Sequence, residues 1–108
     1  MKLEGTGWSF PSDAGKSARF VSFSAGQRVS GFSGCNRFSG KFHQLDGKLT
    51  IGPLASTRMA CKGDGMQREQ HFLALLRQVE GILVENGKLT LLAKDESHLT
   101  TLIRRGAQ

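Results

Sequence analysis

MQREQHFLALLRQV, residues 66–79, is the one stretch of this chain with a strong helical period, and it divides the sequence into two parts that read as sheet. Phe72, Leu73, Leu76 and Val79 recur at three- and four-residue spacing, which places them on one apolar stripe. Asp64 stands where an N-cap belongs, with Gln67 three residues on, and Gly81 fits the residue just past the C-terminus. The helix is expected to lie across a sheet and close its core.

On both sides of the helix, short apolar runs alternate with Gly, Asn and Asp turns, the pattern of antiparallel sheet. Strands are predicted near residues 7–10, 19–24, 28–32, 37–42 and 48–51 before the helix, and 82–85, 88–92 and 100–103 after it. Asp46-Gly47 and Asn86-Gly87 each sit between strand candidates, and both dipeptides suit the positive φ angles of a type I′ hairpin turn. The phrase Gly47-Lys-Leu-Thr-Ile51 returns as Gly87-Lys-Leu-Thr-Leu91. A distant duplication accounts for this, and so does the same hairpin chemistry arising twice, because the turn residue, the Lys and the alternation are each locally favoured. The expected class is α+β, mainly β: a strongly bent antiparallel sheet or small open barrel covered by one helix.

With 108 residues, the chain is expected to form a single domain over residues 1–108 around one modest core. Its hydrophobic content of 38% and charged content of 22% argue for a globular domain over a disordered segment. The net charge of +6 is uneven. Residues 1–62 carry nine Lys/Arg against three Asp/Glu, and residues 63–108 carry six of each. Such a bias raises the local concentration of any polyanion, or simply keeps the surface solvated. The longest basic run is Arg104-Arg105, too short for a nucleic-acid patch. The opening MKLEGTGWSF lacks the apolar stretch of a signal peptide, and no segment is long and apolar enough to span a bilayer.

Both cysteines fall in two dense segments, GCNRFSG at 34–40 and LASTRMAC at 54–61. These two motifs and the helical phrase, in this order, resemble the HslJ/META domain, a small module of bacterial envelope proteins and lipoproteins that is also found in trypanosomatid parasites. The resemblance runs over about residues 7–103. It implies a β-rich fold with one helix and an exported or lipid-anchored domain, periplasmic or associated with the outer membrane, whose leader Met1 would replace; a cytoplasmic form stays open. It also implies heat-shock, stress-tolerance, drug-resistance and secretion-associated roles rather than a defined reaction. The motif positions carried over are Gly34, Asn36, Arg37, Phe38 and Gly40, with Thr57, Arg58, Met59 and Glu69.

Cys35 and Cys61 are 26 residues apart, which excludes a CxxC redox motif and the paired spacing of a zinc site. In an exported domain a structural disulfide is the best reading, and closing that loop stabilises by about 3.5 kcal/mol in the chain-entropy model. Two buried free thiols and a reactive pair are the alternatives. Asn36 and Thr57 suit a recognition surface, or else satisfy backbone groups where the chain bends, with Arg58 pairing an acid such as Glu69.

Catalytic signals are weak. Ser33 lies in Gly-Phe-Ser-Gly-Cys, which misses the last glycine of a nucleophile elbow and sits between strands. His43, His71 and His98 are scattered, without HExxH, and Gly63-Asp-Gly65 lacks the rest of a phosphate loop. No enzyme activity, cofactor or metal is expected. Phe32, Phe38 and Phe42 interleave with Arg28, Arg37 and Lys41, as on a sheet that stacks bases, but their spacing is that of core positions on strands. The expected function is a non-enzymatic, monomeric envelope module with a protein or lipid partner. The alternative is polyanion or nucleic-acid binding through the basic N-terminal part.

Overall fold

The computed structural model describes residues 2–13 and 18–105, so Met1, the position assigned to a replaced leader, lies outside the described residues. The elements are β1 (Thr6–Ser9), β2 (Phe20–Ser24), β3 (Arg28–Phe32), β4 (Arg37–Leu45), β5 (Lys48–Ser56), α1 (Gly65–Gln78), β6 (Gly81–Glu85), β7 (Lys88–Leu92) and β8 (His98–Arg104). Each strand pairs antiparallel with its neighbour in sequence, and β1 also pairs with β8. The sheet therefore closes, which is tighter than the open barrel or bent sheet read from the sequence. Closure rests on Trp8 opposite Arg104 and Ser9 opposite Ile103, extended by the Arg105 N–H donating to Gly7 O at 2.9 Å.

The wall is uneven. β5 and β6 are paired only at Lys48 opposite Gly81, flanked by Leu49 N–H to Glu80 O at 3.2 Å and Ile82 N–H to Gly47 O at 2.9 Å. β5 also packs against α1. Pro53, exposed within β5, has no N–H to offer a ladder.

Several boundaries differ from the sequence reading. β5 continues beyond Ile51 to Ser56, because Gly52-Pro53 forms a bulge inside the strand. Gly40 lies opposite Leu54 while Phe42 lies opposite Ile51, so β5 carries one residue more than β4. A side chain at Gly40 would meet Pro53 O at 2.5 Å, which is why β4 has glycine there. Asp64 occupies the N-cap position, yet its side chain makes no cap hydrogen bond; its backbone carbonyl accepts from Arg68 N–H at 2.9 Å. Nor does Gly81 end the helix: Val79 does so in an extended conformation, and Gly81 opens β6. Both expected hairpins form, and Asn86 and Gly87 both take positive φ as a type I′ turn requires. In the other hairpin only Asp46 does, so that turn is not of type I′.

The helical stripe behaves as its period predicts, with Phe72, Leu73, Leu76 and Val79 all buried in one core with the inward-facing strand residues. Phe72 meets Phe10 and Phe38 edge-on at 5.2 and 5.9 Å between centroids, and Phe23 meets Phe42 likewise at 4.9 Å. Phe38 and Phe42 are thus core residues and Phe32 is half-buried, so the outer face does not display the aromatic platform that base stacking needs. The two copies of the repeated phrase occupy equivalent places, with Leu49 and Leu89 each fully buried one residue into the second strand of a hairpin.

On the outside, Gly7, Ser22, Ser30, Ser39 and Ala55 stand opposite one another across β1 to β5, a row of small residues. The shallow trough lets Arg105 reach past Gly7 and stack on Phe20, 3.9 Å from the ring centroid.

The N-terminal segment is fastened to the helix by charge. Asp13 receives Arg19 Nε at 2.8 Å and Arg68 Nη2 at 2.9 Å, with its side chain only 8% exposed, and Arg19 also stacks on Phe10 at 3.9 Å. The hydrogen bond from Arg19 is the largest of the influences that hold the Asp13 carboxyl well below the usual carboxylate range. A group depressed in this way stabilises the fold above its unfolded value of about 3.9, and that contribution is lost as pH falls toward the folded value. Urea denaturation of wild type and Asp13→Asn should therefore show the mutant less stable at pH 7, with the gap narrowing steadily below about pH 4; a gap independent of pH would contradict it.

Candidate disulfide-anchored recognition loop

The turn between β3 and β4, Ser33 to Asn36, is short and polar, and it lies against the first turns of α1. Gly34 takes φ 111°, and a side chain there would press on Arg68 Cβ at 3.0 Å, so only glycine lets the turn approach the helix. Ser33 N–H donates to Asn36 O at 2.9 Å and closes the turn. Its hydroxyl, fully buried, sits between Asn36 O at 2.8 Å and Glu69 Oε1 at 2.6 Å.

Glu69 is the acid that answers this turn from the helix. Its Oε1 also accepts from Asn36 N–H at 3.0 Å, and its Oε2 accepts from Asn36 Nδ2 at 3.2 Å. The opposite side of the same amide holds the loop that connects β5 to α1: Asn36 Oδ1 accepts from Met59 N–H at 2.7 Å and from the Thr57 hydroxyl at 2.9 Å. Nδ2 also reaches Met59 O at 3.4 Å, so the side chain grips both backbone groups of Met59 as a neighbouring strand would. Thr57 continues the pairing of β4 with β5, exchanging hydrogen bonds with the Arg37 backbone at 3.0 and 3.2 Å.

Two residues past Met59, Cys61 is joined to Cys35 by a disulfide, with Cα atoms 5.8 Å apart. The disulfide packs on the start of the helix, where a side chain at Gly65 would meet Cys61 Cβ at 2.9 Å. The loop is thus fixed twice within three residues, by an amide and by a covalent bond. Its side chains nevertheless face outward. Arg58 and Lys62 are exposed, Met59 is 60% exposed, and Met66 on the first helical turn is 40% exposed.

The motif residues accordingly separate into two sets. Gly34, Cys35, Asn36, Phe38, Gly40 and Glu69 build the interior of the turn, the core or the strand pairing, while Arg37, Thr57, Arg58 and Met59 are exposed above it. The pairing of Arg58 with Glu69 is not found: Glu69 is buried and bound by Ser33 and Asn36, and Arg58 makes no ion pair among the described residues. Ser33 is sealed from solvent and has no histidine partner, and His43, His71 and His98 are exposed and apart from it. No group of three His, Cys, Asp or Glu side chains is placed to hold a metal among the described residues.

Two participants escaped the sequence reading. Ser33 is a member of the buried network, and Met66 Sδ lies 3.7 Å from Cys35 Sγ. A signal for the network was present: Glu69, at three- and four-residue spacing from Phe72 and Leu73, falls on the apolar stripe, where a carboxylate demands buried donors.

Asn36→Ala would remove four of these contacts at once and leave the Met59 N–H and Glu69 Oε2 without their partner. Chemical denaturation should show a loss of about 3 kcal/mol with the disulfide intact. A loss under about 0.5 kcal/mol, the level of an ordinary surface substitution, would contradict the role given to this amide.

Comparison with known proteins agrees with this architecture. A solved structure described as the NMR structure of the protein from Burkholderia xenovorans matches 96% of this chain and 84% of its own at 28% identity, with a TM-score of 0.78. A second NMR structure matches 94% of this chain and 90% of its own at 26% identity, with a TM-score of 0.70. No curated protein matches the chain. The META domain model matches residues 2–105, nearly the whole sequence, and this chain therefore belongs to the META domain family.

Proposed function

We propose that this protein is a non-enzymatic binding module of the cell envelope, and that its recognition surface is the loop between β5 and α1. The observation that carries this reading is a rigid backbone under exposed apolar side chains. Asn36 holds both backbone groups of Met59 and the disulfide holds Cys61, yet Met59 and Met66 are among the most exposed large apolar residues. A loop held in one conformation loses little entropy when a partner docks, so more of its contact energy becomes affinity. Methionine suits such a place because its flexible, polarisable side chain fits an irregular apolar surface. Arg58 and Lys62 beside it favour a partner with an acidic rim. The disulfide supports an oxidising compartment outside the cytoplasm, as the family resemblance implied. Stress-tolerance, drug-resistance or secretion roles belong to whatever this surface binds.

One observation favours a second reading. Arg28 and Lys41 stand directly opposite each other on β3 and β4, and β2, β3 and β4 contain no acidic residue. Like charges so placed repel unless an anion lies between them. That face would take a polyanion by phosphate or sulfate contacts alone, since the aromatic side chains beneath it are buried or half-buried.

A photo-crosslinking residue at position 59 tests the first reading, with a matching residue at Ala25, in the turn at the far end of β3, as control. In cells, position 59 should capture a defined envelope protein that position 25 does not, and Arg58→Glu should weaken the capture at least fivefold. Equal capture at both positions, or none, would overturn it. For the second reading, binding to heparin should fall steeply with salt and flatten in Arg28→Ala with Lys41→Ala; affinity unchanged by salt would dismiss it.

A further inference from the structure

We propose that Cys35, Cys61 and Met66, once the cysteine pair is reduced, form a binding site for the soft monovalent cation Cu(I). The inference goes beyond the recognition loop and does not depend on any partner for it.

Three sulfur atoms meet at one point of the fold. Cys35 Sγ is bonded to Cys61 Sγ and lies 3.7 Å from Met66 Sδ. Two ligand atoms 3.7 Å apart, each about 2.3 Å from an ion, subtend about 107° at that ion, close to the tetrahedral angle. The Cα atoms of the two cysteines are 5.8 Å apart, so rotation of the freed side chains brings both sulfurs to the same ion without moving the backbone. The arrangement is held from outside itself. Asn36 Nδ2 approaches Cys35 Sγ at 3.6 Å, and the first residue of α1 lies against both cysteine Cβ positions. That helix end presents unpaired N–H groups and a partial positive charge, which favour thiolates.

The choice of ion follows from the donor set. Two thiolates and a thioether are soft ligands that select Cu(I). No His, Asp or Glu joins the pair to make a three-residue group of the kind zinc uses, among the described residues. The site is also reachable: Met66 is 40% exposed and Cys61 is half-buried.

The chemistry balances with a dithiol as reductant. The disulfide takes two electrons and two protons from the dithiol, which becomes a disulfide itself, and the Cys35 to Cys61 bond is replaced by two thiols. Cu(I) then displaces the two thiol protons to solvent, with no change in its own oxidation state.

The test uses the whole protein, reduced with dithiothreitol, desalted without oxygen and titrated with Cu(I) in competition with bicinchoninate. The expected result is one Cu(I) per chain for reduced protein and none for the disulfide form. Met66→Leu, which keeps the volume but not the sulfur, should weaken binding at least tenfold while leaving the near-UV circular dichroism of the reduced apoprotein unchanged. Met66→Leu binding as tightly as wild type would reduce the site to an ordinary thiol pair and overturn the proposal. So would the lack of one-to-one binding, or loss of the native near-UV signal on reduction, because no assembled site would then remain.

Discussion

The side-chain amide of Asn36 is the interaction on which the arrangement of this molecule depends. Buried at 3% exposure, it faces a carboxylate on one side and a loop backbone on the other, and so joins three parts of the chain distant in sequence. In a low-dielectric interior such a network is valuable only if complete, because every unpaired member carries its full desolvation cost. It is complete: among the described residues no buried side-chain nitrogen or oxygen lacks a partner. The disulfide lies beside the amide and acts differently, restricting the unfolded chain where the amide selects one folded geometry. Together they explain how a chain of this size holds eight residues of connection between β5 and α1 without a helix or strand.

The wall of the barrel was legible where local chemistry and global fold agree. Alternation in Phe20–Ser24, Arg28–Phe32 and Lys88–Leu92 and the glycine-bearing turns place the strands within a few residues, because each is fixed by neighbours close in sequence. What failed was set by distant partners. Gly52-Pro53 has the composition of a terminator, and only the opposing Gly40 makes room for it as a bulge within β5. Asp64 has the identity of a capping residue, but the helix start is fixed by the disulfide packed on Gly65. The join of β1 to β8 spans nearly the whole chain and rests on two residue pairs, too little to leave a mark in composition.

The site was legible in its membership and not in its pairing. Gly34, Asn36, Thr57 and Glu69 are all brought to one place. The expected partner of Glu69 was a cation, on the general expectation that acids pair with bases. The structure uses neutral donors instead, a hydroxyl, an amide and a backbone N–H, and leaves Arg58 at the surface. Neutral donors satisfy the carboxylate without burying a second charge, which would carry its own desolvation cost.

The junction of β5 with β6 gives the barrel a direction of weakness. Every other neighbouring pair of strands shares at least two residue pairs, whereas this one shares a single pair. Amide protons along that line rely on the fewest cooperative bonds, so they exchange with solvent through the least costly opening the molecule has. Such an opening turns the closed barrel into an open sheet with β5 and β6 as its edges, the N-terminal strands and the C-terminal meander still joined where β1 pairs with β8. The helix, tied to β5 by the disulfide-bearing loop and to β6 by a short connection, then becomes the strap that limits how far those two edges part.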